Sequence, residues 1–158
     1  MTREQIQEFT RRTTQENHSG LILVLCDMER VYVSDALAAY ADDMDSYMKN
    51  IELARKTHNE LMSCFDMANA QARKVVAILR FIYGKLVASV VKRKPQELER
   101  CMGILERLRI GFEHLHEIDT DGPIMKNTHQ VYAGLTYGKG VLNESTLNAD
   151  YGSRGFKV

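Results

Sequence analysis

Helix breakers are almost missing from the middle of this chain. Residues 21–117 hold one proline, Pro95, and three glycines, Gly84, Gly103 and Gly111. Proline removes a backbone donor and glycine costs conformational entropy inside a helix, so a stretch this long predicts long helices with few interruptions.

The apolar spacing agrees. Asn17, His18 and Ser19 can cap a helix, and after them Leu21, Leu25, Met28, Tyr32 and Ala36 recur at steps of three and four. This predicts a first bundle helix to about Tyr40. Asp42, Asp43 and Asp45 suit a helix amino end, and the stripe Met44, Tyr47, Ile51, Ala54, His58, Leu61 and Phe65 predicts a second helix ending near Asp66. A third covers residues 70–93. The fourth is expected to start at Pro95, whose fixed φ suits the first helical position, with Leu98, Cys101, Leu105, Leu108, Phe112 and Leu115 near the ~3.5-residue repeat of bundles.

Short links between consecutive long helices force them antiparallel. The expected fold is therefore all-α: an up-down four-helix bundle over residues 18–119. Residues 1–17 form an amino-terminal helical arm, amphipathic through Ile6 and Phe9 and opened by a capping box at Thr2 and Gln5. Residues 120–158 turn to Gly, Asn, Thr, Tyr and Ser and lose the helical period, which predicts an irregular tail unable to fold alone.

Composition narrows the function classes. The chain's 21 basic and 21 acidic side chains cancel, leaving no electrostatic footprint for nucleic acid or an anionic membrane. No apolar run approaches the roughly 18–20 residues of a membrane span, and the expectation is a cytoplasmic protein. Cys26, Cys64 and Cys101 are odd in number and sit in apolar helical patterns, as reduced core residues do.

The best enzymatic lead is Glu113 and His116, which have the Glu-x-x-His spacing of di-iron carboxylate bundles. Such a site needs a second pair and a glutamate from each remaining helix. His58 has Arg55 three residues before it, and the stripes show no inward glutamate. No metal, no cofactor and no catalysis are expected, and His58 reads as a hydrogen-bonded core histidine. The glycine-rich run from Gly134 to Gly140 lacks the Lys-Ser/Thr ending of a phosphate loop. Lys92, Arg93 and Lys94 read as a solvated helix end.

Helix three is the unusual element. Between Val75 and Val91 the only polar side chains are Arg80, Lys85 and Ser89. At about 100° per residue, Val75, Ile78, Leu79, Ile82, Leu86 and Val90 make a core-facing arc. Val76, Tyr83 and Val87 widen it on one flank and Phe81 on the other. One four-helix core does not cover so wide an arc, so the arm, the tail, a second copy of the chain or a partner's helix must lie over it.

Several stretches resemble one family. Leu21, Leu25 and Asp27 match its first helix, although Asn17-His18-Ser19-Gly20 departs from its Thr-Pro start and the family's later Tyr and Gly are missing. Ile78-Leu79-Arg80-Phe81-Ile82 with Leu86 resembles its Leu-Tyr-x-Tyr-Met-x-x-x-Leu pattern. Leu98 and Leu108-Arg109-Ile110-Gly111-Phe112 then fall, without a gap, where it has a leucine and Leu-Arg-Asp-Ala-Trp. The family is FliS, the flagellin-specific export chaperones of the bacterial flagellum.

The resemblance implies a cytoplasmic chaperone that binds the carboxy-terminal segment of flagellin in apolar grooves, prevents premature polymerisation before export, and uses no cofactor. It also implies that the amino-terminal arm can cap the apolar surface when flagellin is absent. With the wide arc, it makes Val76, Phe81, Tyr83 and Val87 the candidate flagellin-binding residues. Two other classes compete: a dimerising or scaffold bundle, and a metal-binding bundle enzyme built on Glu113 and His116.

Overall fold

A computed structural model describes residues 1–125, all within the first of the two units into which the chain divides, residues 1–128. Residues 126–158 of the expected tail, with the Val131-Tyr132 and Leu135-Thr136-Tyr137 cluster, lie outside the described residues. Residues 1–125 fold as five helices: α1 (Arg3–Gln15), α2 (His18–Ala39), α3 (Met44–Ser63), α4 (Ala70–Lys92) and α5 (Leu98–Ile118). No strand occurs among them. The fold class is all-α, as expected.

Local chemistry explains most of the starts. Thr2 and Gln5 form the capping box of α1, each side chain accepting the other's backbone N–H at 3.2 and 2.8 Å. Asn17 caps α2 by accepting from the Gly20 N–H at 2.9 Å, and Asp43 caps α3 through Ser46 at the same distance. Gly20 is required by closeness: a Cβ there would stand 2.9 Å from the Glu16 Cβ.

The start of α5 departs from expectation. Pro95 lies in the link, and the helix begins three residues later at Leu98. The Ser89 hydroxyl accepts from the Gln96 N–H at 2.9 Å, and the Glu97 carboxylate is drawn to Lys85 and Arg100. These ties hold the link extended past the proline. Both ends of the turn, Arg93 (φ 50) and Glu97 (φ 53), are left-handed, a strain of order 1 kcal/mol each that the surrounding contacts must offset.

The helices run antiparallel in sequence order. His18 Nε2 lies 2.8 Å from the Cys64 carbonyl oxygen, setting the start of α2 beside the end of α3. The Phe65 and Phe112 rings meet at 5.5 Å, setting the end of α3 beside the end of α5. Packing runs α4 to α3, α3 to α2 and α2 to α5, with α1 laid on α2.

The α2 stripe is rotated from its expected position, and the α4 stripe differs from expectation at single residues. On α2 Leu25 and Ala36 are buried as expected, but the core is otherwise filled by Ile22, Cys26, Glu29 and Val33, with Leu21 and Tyr32 only partly buried at its edge and Met28 half-buried outside it. On α4 Leu79, Ile82 and Leu86 are buried as expected and Val75 and Val90 pack against the core; Val76 and Ser89 are buried as well, while Ile78 is 41% exposed. Leu115 of α5 is also outside the core, at 50% exposed. The helix covered on three sides is α2, whose residues Ile22, Leu23, Val24, Leu25 and Cys26 are all buried; α1, α3 and α5 enclose it.

Candidate functional site

The four residues singled out on α4 do not share one surface. Val76 is buried at 4% exposed, so it faces the interior of this chain. Tyr83 is half-buried: its hydroxyl accepts from the Arg55 guanidinium at 3.0 Å, and its ring stacks on His58 at 6.2 Å. Val87 is half-buried on the same flank. Phe81 alone is well exposed, with Lys85 and Arg100 near its ring face at 5.4 and 5.8 Å.

His58 is a core histidine, but its partner was not foreseen. It is fully buried, and Nδ1 stands 2.9 and 2.8 Å from the two oxygens of the Glu29 carboxylate. Nε2 stands 2.8 Å from the Leu79 carbonyl oxygen. A carbonyl only accepts, so Nε2 carries a proton. One further proton lies between Nδ1 and Glu29, and the pair is neutral in sum on whichever side it sits. Burial pushes the Glu29 carboxyl above its ordinary range, opposed by the hydrogen bond and charge of His58.

This corrects the expectation that no glutamate points inward. The legible signal was spacing: Ile22, Cys26, Glu29, Val33 and Ala36 alternate steps of four and three, the seam of a bundle helix. The pair joins α2, α3 and α4 at one level and is enclosed on every side, which fits a structural role.

Glu113 and His116 do not act together. Glu113 pairs with Arg109 at 3.2 Å, whereas His116 Nδ1 lies 2.9 Å from the Ser19 hydroxyl oxygen. Ser19 has one hydroxyl proton, and two acceptors face it, the Asp119 carboxylate at 2.5 Å and the Asn17 side-chain oxygen at 3.0 Å. The Ser19 hydroxyl thus has oxygen acceptors of its own beside His116, and Glu113 is paired elsewhere, so the two residues of the Glu-x-x-His spacing share no partner. The Asp119 carboxyl is held below its ordinary range, first by the Ser19 hydroxyl and then by the Asp121 N–H. Among the described residues, no three His, Cys, Asp or Glu side chains gather as a metal site. The Gly134 to Gly140 run lies outside the described residues.

One cleft with room for a ligand lies beneath α1. No residue of that helix is fully buried, although Phe9, Arg12, Thr13 and Thr14 are half-buried. The Met1 amino group pairs with Asp35, and Arg12 reaches Asp27 at 3.0 Å. Asp27 also accepts from Arg109 of α5 at 2.8 Å. Under this polar attachment Ile6, Phe9, Met28, Tyr32 and Met125 line a cleft of about 320 Å³. Here Met28 and Tyr32, expected in the bundle core, find their cover.

Comparison of the chain with family models, curated proteins and solved structures returns no match. No helix among the described residues is long and apolar enough to cross a membrane.

Proposed function

We propose that this chain is a binding module that holds a helical segment of another protein, and that it acts as a flagellin chaperone of the FliS kind. One observation carries the reading. The bundle covers its apolar α2 face with a helix none of whose residues is fully buried, Phe9, Arg12, Thr13 and Thr14 being half-buried at most, and that helix lies over an apolar cleft. Such a cover can be exchanged for a better-fitting helix, because little free energy holds it: partly exposed ion pairs contribute about 0–1 kcal/mol each.

On this reading α1 caps the groove in the free protein, and the carboxy-terminal segment of flagellin replaces it. The chaperone then keeps flagellin monomeric in the cytoplasm until export. The test is calorimetric titration of the full chain, and of the chain lacking residues 1–15, with a flagellin carboxy-terminal peptide. Binding by both, tighter without α1, is expected. Absence of binding by either chain at near-millimolar peptide would refute it.

A further inference from the structure

The seam between α4 and α5 is the least packed of the bundle's neighbouring helix pairs. Helical geometry says which residues face it. Tyr83 bonds Arg55, so that flank of α4 belongs to α3. Lys74, Ile78, Phe81 and Lys85 recur at steps of four, three and four on the opposite flank. They look toward α5, since Arg100 stands 5.8 Å from the Phe81 ring and Lys85 pairs with Glu97.

On α5, Arg109 reaches Asp27 and Glu106 reaches Arg30 at 2.8 and 2.5 Å, so that flank belongs to α2. The stripe turned to α4 is Arg100, Ile104, Arg107 and Gly111. Ile78 and Phe81 are both exposed, and a Cβ at Gly111 would meet no atom within 4 Å. The seam is open, with an apolar floor.

Its rim has one sign. Lys74 and Arg107 are exposed and form no ion pair with any described residue, while Lys85 and Arg100 share a single carboxylate, Glu97. Along the two stripes four cations stand against one anion. From Lys74 to Lys85 the floor runs about 17 Å, three turns of helix at ~1.5 Å per residue.

We infer that the α4–α5 seam docks an amphipathic helix of a partner protein, apolar on one face and lined with Asp and Glu on both flanks. The floor takes apolar side chains at positions i, i+3 or i+4, and i+7, and the rim pairs with the flanking carboxylates. The same rim repels a helix with basic flanks, so charge supplies selectivity that the floor lacks. The inference rests on the reading of the chain as a helix-holding module; what it adds is a site distinct from the α1 cleft and the charge of its ligand.

The probe is a stapled three-turn helix with leucines on one face and glutamates on its flanks, set against the same helix carrying lysines. Fluorescence anisotropy with the full chain should show the glutamate helix binding about tenfold tighter at low salt, with the preference shrinking as salt rises. The double variant Lys74→Glu/Arg107→Glu, which touches nothing buried, should reverse that preference. Phe81→Asp should abolish binding while circular dichroism stays unchanged.

Equal binding of the two helices, or an unchanged preference in the double variant, overturns the inference. So does light scattering that shows the free chain to be a dimer dissociated by Phe81→Asp. The flagellin peptide is titrated against the same variants. If it fails while the glutamate helix binds, the flagellin reading falls and the seam stands. If it binds and no probe helix binds the seam, the reverse holds.

Discussion

Replacing His58 with leucine should unfold this protein more readily than almost any other single change, and the reason is Glu29. The carboxylate is 1% exposed and its partner is fully buried. In His58→Leu the carboxyl keeps its place in an apolar interior with no donor beside it. Breaking a buried pair in this way costs about 3–5 kcal/mol. Glu29→Met is expected to be milder: the imidazole can stay neutral and still donate from Nε2 to the Leu79 carbonyl, leaving one unpartnered nitrogen at about 1–3 kcal/mol. The double variant Glu29→Met/His58→Leu leaves neither orphan and should lie within ~1 kcal/mol of the parent, since apolar replacements of buried pairs are often neutral. The coupling between the two sites is then at least about 3 kcal/mol. Urea denaturation followed by far-ultraviolet circular dichroism measures all four chains, provided the slope is unchanged. If the double variant loses the sum of the two single losses, Glu29 and His58 are not an energetic unit and the argument fails.

Other consequences are simpler to check. Leu86→Ala should cost about 2–5 kcal/mol and Ile78→Ala less than ~1, because the first is fully buried and the second 41% exposed; equal losses would return the α4 stripe to the position that periodicity suggested. Burial pushes the Cys26 thiol up to about 12 and the Cys101 thiol up to about 11, so in the folded chain iodoacetamide at pH 8 should modify half-buried Cys64 well before either. The same shifts have a sign in stability: from about pH 9 upward the unfolded thiols ionise while the folded ones keep their protons, so each thiol weakens the fold by up to ~1.4 kcal/mol per pH unit until its folded value is reached. A Cys26→Ala chain should show a shallower alkaline slope, and an identical slope would exclude that cause. Removing residues 1–15 should leave the remaining helices folded, at a loss of roughly 1–2 kcal/mol, and raise the binding of an apolar dye; collapse of the helical signal would mean that α1 is integral to the core.

Much of this architecture is legible in the residues themselves. The absence of breakers, the capping side chains Thr2, Asn17 and Asp43 and the repeats of three and four residues are local facts, and local hydrogen bonds and short links turn them directly into helix starts and antiparallel order. Which way each helix faces was not decided locally. On α2 the stripes through Met28 and Glu29 are both allowed by the helical period, and desolvation argues against the glutamate. It is buried because a histidine 29 residues further on, on another helix, supplies the proton that makes the carboxyl tolerable inside. That rotation brings Met28 and Tyr32 to the edge of the bundle, where α1 lies over them, while α4 keeps Leu79, Ile82 and Leu86 inside and leaves Ile78 and Phe81 along an open seam because α5 packs on it so sparsely. Periodicity is a property of a segment of chain and specifies a helix up to rotation about its own axis; that last angle is set by pairwise partners distant in sequence, and only the assembled bundle brings them together.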